Sequence, residues 1–84
     1  MFYALLKDVD GRRFYRYFHK WDNAERAMIE DANNIKKIFN AKEVRNLDNF
    51  QPDKGIYIRE IELLTPELSK FKYAILDTYF EDKE

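Results

Sequence analysis

Between Arg12 and Trp21 the chain reads Arg-Arg-Phe-Tyr-Arg-Tyr-Phe-His-Lys-Trp, ten residues that are each aromatic, cationic or histidine. Aromatic side chains favour strands, where they pack on a pleated surface. Four turn residues precede the run, Asp8-Val9-Asp10-Gly11, and before them Phe2 to Lys7 has strand character. The run is therefore the return strand of a hairpin that opens the protein. Asp at the first position and Gly at the fourth suit a type I turn closed by a glycine bulge, since Gly enters the left-handed region cheaply.

That turn fixes an expected register in which Asp8 faces Arg12, Leu6 faces Phe14 and Phe2 faces Phe18. One face then carries Phe2, Ala4, Leu6, Phe14 and Phe18, with Arg16 intruding. The other carries Tyr3, Leu5, Lys7, Arg13, Tyr15, Tyr17 and His19. Phenylalanine, with nothing to hydrogen-bond, belongs inside, whereas a tyrosine hydroxyl tolerates a wet boundary. A one-residue slip would mix the two classes.

A helix follows. Asp22 with Glu25 forms a capping-box pattern, and Trp21 stands where a hydrophobic staple would. Ala24, Ala27, Met28, Ala32, Ile35, Ile38 and Phe39 recur at helical spacing, with Lys36 and Lys37 near the end and Asn40 as a stop. The stripe is expected on the phenylalanine face. Ala41 to Phe50 fits neither period well and reads as a short irregular strand. Pro52-Asp53-Lys54-Gly55 is a turn. Ile56 to Leu64 is a strand whose apolar phase switches from Ile56 and Ile58 to Ile61 and Leu63, implying a bulge near Arg59-Glu60 or burial on both faces. In the last segment Thr65-Pro66-Glu67 resembles a helix start, and Leu68, Phe71, Ile75 and Tyr79 continue at helical spacing. Phe71, Tyr73, Ile75, Tyr79 and Phe80 favour a strand instead. Helix is the reading preferred over 66–80, with fraying over 81–84.

The expected architecture is thus one α+β domain over 1–84: a small antiparallel sheet made of a hairpin, an amphipathic helix, a second hairpin and a C-terminal helix or strand, with the helix on one face. A chain of 84 residues has room for one helix-on-sheet core.

Composition excludes much chemistry. No cysteine means no disulfide, thiolate nucleophile or Cys-based zinc site, and suits a cytoplasmic location. No apolar run is long enough to span a bilayer. Ser69 is the one serine and lacks the glycine elbow of a nucleophile. With two glycines, no phosphate-cradling loop forms. Asp8-Val9-Asp10-Gly11 fails as a calcium loop, because Leu6 and Tyr17 fall where carboxylates belong. Glu60, Glu62 and Asp77 are a remote divalent-ion candidate. No cofactor and no catalytic residue is expected.

The binding candidates are Tyr3, Lys7, Arg13, Tyr15, Tyr17 and His19, which join large rigid contact area to positive charge. Tyr and Arg dominate interface hot spots for that reason. Residues 1–20 carry a net charge of +3 and residues 21–84 one of −4. That imbalance leaves room for one basic patch, not for the strongly basic domain that nucleic acid favours. The sequence reading is a non-enzymatic protein-binding domain, an inhibitor or accessory factor of the kind phage and mobile elements encode. Single-stranded nucleic acid or a nucleotide is the alternative ligand, homodimerisation over the tyrosines a third reading, and a membrane no partner.

Overall fold

The computed structural model describes residues 2–78. Among these residues five antiparallel strands form one sheet, and one α-helix lies on one face of it. In chain order the elements are β1 (Phe2–Val9), β2 (Arg12–Phe18), α1 (Trp21–Phe39), β3 (Lys42–Gln51), β4 (Ile56–Leu64) and β5 (Lys70–Thr78). The spatial order is β2-β1-β5-β4-β3, so β5 closes the sheet by pairing between the two hairpins. This is the α+β class expected, with the C-terminal alternative resolved as a strand. Thr65 does cap, but it caps a turn. Its hydroxyl accepts from the Ser69 N–H at 3.0 Å, its carbonyl accepts from the Leu68 N–H, and Leu68 turns the chain at φ 71°. Tyr79, Phe80 and the 81–84 tail lie outside the described residues.

The first hairpin closes one residue differently from the expected type I loop. Asp10 and Gly11 both have positive φ, 52° and 94°, which is the signature of a two-residue type I′ turn. Its backbone twist matches that of the flanking strands. Asp8 fastens the turn by accepting the Gly11 N–H at 2.8 Å, and Asp10 ties it to β5 by accepting the Lys70 N–H at 2.8 Å. The register becomes Tyr3 opposite Phe18, Leu5 opposite Arg16, Lys7 opposite Phe14 and Asp8 opposite Arg13. Directly opposed residues share a face, so the slip turns β1 over relative to β2. Phenylalanines and tyrosines are consequently mixed. Tyr3 and Phe18 pack together on the core, Phe2 lies on the opposite face and Phe14 is exposed.

Helix α1 covers the face formed by Tyr3, Leu5 and Val9 of β1, Phe18 of β2, Phe71, Tyr73 and Ile75 of β5, and Ile61 and Leu63 of β4. It buries Trp21, Ala24, Met28, Ala32 and Ile35. The two alanines let its backbone lie close to the sheet. The chain enters the helix at an extended Lys20, whose carbonyl accepts the Ala24 N–H. Asp22 lies within the first turn, favourable to the helix dipole, and no side chain makes a cap bond. Asn40, in the left-handed region at φ 54°, ends it as expected. Ile38 and Phe39 fall off the buried stripe and are exposed. Trp21 anchors one end of the core, stacking on Phe50 at 4.7 Å and meeting Tyr3 edge-on at 5.6 Å.

Strand β3 is longer than expected, and the irregularity belongs to it rather than to β4: the register shifts between Glu43 and Arg45, around Val44. Strand β4 runs regularly through Arg59 and Glu60. Its phase switch is real and has another cause. Ile61 and Leu63 face the helix, whereas Ile56 and Ile58 face the side of the sheet without one. Arg59 takes the inward place between Tyr57 and Ile61 and is buried. Its guanidinium donates to Glu25 of the helix at 2.8 Å, to the side chain of Asn46 and to the Leu47 carbonyl at 3.2 Å. These bonds let a charge occupy a core position.

Candidate functional site

The sheet has two faces and α1 protects one. Among the described residues no element covers the other. Strand alternation and register assign its lining: Arg13, Tyr15 and Tyr17 from β2, Phe2, Ala4 and Leu6 from β1, Ala74 and Leu76 from β5, Ile56 and Ile58 from β4, and Leu47 from β3. Several large members are exposed, Tyr15 by 47%, Tyr17 by 53% and Leu76 by 44%, whereas Phe2, Leu6 and Ile56 are half-buried. The small ones, Ala4 and Ala74, are shaded by these neighbours and buried. His19, just past β2, rests its ring on Phe2 at a centroid distance of 4.6 Å.

The six residues expected to form a binding surface therefore divide. Arg13, Tyr15, Tyr17 and His19 share the open face. Tyr3 and Lys7 do not, because the type I′ turn carries the odd residues of β1 beneath or beside the helix. Tyr3 packs against Trp21. Lys7 is drawn to the helix, its Nζ 2.7 Å from Asp31 Oδ2. The same oxygen accepts the Tyr73 hydroxyl at 2.7 Å. Burial raises the Asp31 pKa, but the bonds from Lys7 and Tyr73 outweigh it and hold the carboxyl below the ordinary aspartate range. Burial first, and the carboxylate bond second, push the Tyr73 phenol far above its usual value. Lys7, Asp31 and Tyr73 thus form a clamp between helix and sheet. A hollow of about 160 Å³ beside it is lined by Leu5, Phe14 and Arg16 as well as by the clamp.

Charges on the open face largely neutralise one another. Arg13 lies 3.3 Å from Asp8, Arg45 3.6 Å from Glu60 and Lys72 3.9 Å from Glu62. The carboxylates of Glu60 and Glu62 are thus each beside a cation, and Asp77 projects from the opposite face of β5, opposite Tyr3. The three do not converge as an ion site. Among the described residues no group of three or more His, Asp or Glu side chains is placed to hold a metal, and no helix is long and apolar enough to cross a membrane.

Sequence reasoning missed the apolar share of this surface. Leu6, Leu76, Ile58 and Leu47 share the open face with the tyrosines, and the phase switch in β4 was the signal for Ile56 and Ile58. Comparison with protein-family models, with curated proteins and with solved structures gives no match.

Proposed function

We propose that this protein is a non-enzymatic binding domain whose partner is another protein, held on the open face of the sheet around Tyr15 and Tyr17. The observation that carries this reading is the set of exposed apolar and aromatic side chains spread across that face, Tyr15, Tyr17, Leu76, Ile58 and Leu47. Exposed large apolar side chains on a face that no described element covers mark an interaction site. Tyrosines supply rigid area with few rotamers to freeze, and Arg13 and His19 stand at the margin, where polar groups direct orientation. The mutual pairing of charges favours protein over nucleic acid, since a phosphate backbone needs uncompensated cations. In this role the domain acts as a cytoplasmic inhibitor or accessory factor, of the kind phage and mobile elements carry.

The test is a paired capture from host lysate with the wild-type chain and with Tyr15→Asp plus Tyr17→Asp, the fold of each checked by circular dichroism. A protein retained by the wild type and released by the folded double variant, with little dependence on salt, supports the reading. Retention of single-stranded nucleic acid that collapses at moderate salt refutes it. So does a partner held equally by both chains.

A further inference from the structure

Strand β2 is an edge of the sheet, and its sequence is complementary to itself. Because a two-residue loop joins Val9 to Arg12, that pair exchanges both ladder hydrogen bonds. Counting along β2, the backbone groups of Phe14, Arg16 and Phe18 also turn toward β1. Those of Arg13, Tyr15 and Tyr17 turn outward, where among the described residues no strand lies. The strand is seven residues long, in unbroken register with β1 and without proline. Such an edge is a template for another strand.

We infer that β2 pairs antiparallel with β2 of a second copy of this chain, about a two-fold axis through Tyr15. In that register Tyr15 faces its own counterpart and Arg13 faces Tyr17, and both pairings use the outward-turned backbone groups. Between and beyond them Phe14 faces Arg16 and Arg12 faces Phe18. Every arginine of the strand meets an aromatic ring of the other copy, the arrangement that cation–π attraction favours. No arginine meets an arginine.

The neighbouring registers that keep the same backbone groups in play are worse. Sliding one way sets Arg12 against Arg16, and sliding the other sets Arg16 against itself. Like charges directly opposed destabilise a strand pair. The three arginines thus do two things: they repel misregistered copies and admit one register.

Space permits the pairing. Phe14 and Arg16 project on the helix side of the sheet yet are exposed, so α1 does not overhang the edge. The opposite edge, β3, is interrupted around Val44 and mixes acids with bases, which equips it poorly for the same role. Two five-stranded sheets would merge into one of ten strands, with both helices on one side and both open faces on the other. The inference concerns the edge of β2 and does not rest on what binds its open face.

The experiment measures mass by sedimentation equilibrium over increasing concentration, together with site-specific crosslinking. The natural chain has no cysteine, so each introduced thiol is unique. The wild type should double in mass as concentration rises. Tyr15→Pro, which removes an outward N–H and leaves the β1–β2 ladder intact, should remain monomeric while keeping the wild-type circular dichroism spectrum. Under mild oxidation Tyr15→Cys should form a disulfide-linked dimer. Phe14→Cys and Arg16→Cys should each fail to link alone and should link when mixed. A wild type that stays monomeric into the millimolar range overturns the inference. So does a dimer that survives Tyr15→Pro, or self-linking of Phe14→Cys in place of Tyr15→Cys.

Discussion

The two faces of the sheet are built from the same strands and nearly the same residue types, yet they meet opposite fates. On the covered face lie a tyrosine, an arginine and a lysine, each with a partner on the helix. Tyr73 is fully buried and bonds Asp31, Arg59 is 6% exposed and bonds Glu25, and Lys7 reaches Asp31. On the open face Tyr15, Tyr17, Ile58 and Leu76 are exposed, and no described element covers them. A polar tip is therefore no guide to which face a residue takes. What decides is whether the covering element offers the tip a partner, because a buried hydrogen bond that is made costs little and one left unmade costs much.

The comparison breaks most visibly if truncations on the two faces cost the same. Leu63 is fully buried under the helix, and Leu63→Ala should lower unfolding free energy by about 2–5 kcal/mol through lost transfer energy and a cavity. Leu76 is already 44% exposed, and Leu76→Ala should cost about 1 kcal/mol, in proportion to the area it still buries. Urea denaturation of both variants, at concentrations below any self-association, measures the difference directly. Equal losses would show that the open face is covered in solution.

The next effect isolates the clamp. Asp31 has its pKa lowered in the folded state, so it contributes stability that is fully present above the unfolded value, about 4, and lost as pH falls through the lower folded value. Wild type should therefore lose stability on acidification below about pH 4, where unfolded aspartate takes up its proton. Asp31→Asn should be less stable at neutral pH by about 1 kcal/mol, the worth of a typical hydrogen bond, since the pair is partly exposed and screened. It should also show a shallower acid limb. Stability measured at a series of pH values checks both. An unchanged limb would mean that Glu43, whose pKa is lowered chiefly by its bonds from Lys36 and Asn46, dominates acid unfolding instead.

Much of the architecture was legible because local signals agreed with one another. The amphipathic stripe from Ala24 to Ile35, the Asn40 stop and the two hairpins all appear where periodicity and turn chemistry place them. The errors came from positions where two signals competed. Strand β1 has apolar residues on both faces, Phe2, Ala4 and Leu6 against Tyr3, Leu5 and Val9, so its pattern cannot choose a register. The choice then fell to the turn, and Asp10-Gly11 alone is a complete type I′ loop. Moving one residue from loop to strand turned β1 over and carried Tyr3 and Lys7 away from the surface. Residues 66–78 show the other kind of conflict. Thr65-Pro66 carries a helix-start pattern, but the empty slot between β1 and β4 requires a strand, and tertiary pairing overrides a cap. Arg59 was illegible for a related reason. Its partners Glu25 and Asn46 are 34 and 13 residues away in sequence, and nothing local marks a buried arginine.

The effect smallest per residue is the sharpest probe of the open face. Tyr15 and Tyr17 lie on an edge strand, about half exposed, opposite Leu6 and Ala4 respectively. Such pairs are worth about 0.2–1 kcal/mol. Tyr15→Ser with Tyr17→Ser should therefore cost about 0.4–2 kcal/mol in total on the same pair scale, less than Leu63→Ala alone if that truncation falls in the middle of its range. The double variant should still unfold cooperatively in urea with an unchanged slope. A cost matching Leu63→Ala would place both rings in a core, and the absence of a roof would then belong to the isolated chain alone. A small cost would mean that the fold does not need these two tyrosines, in keeping with the proposed contact surface.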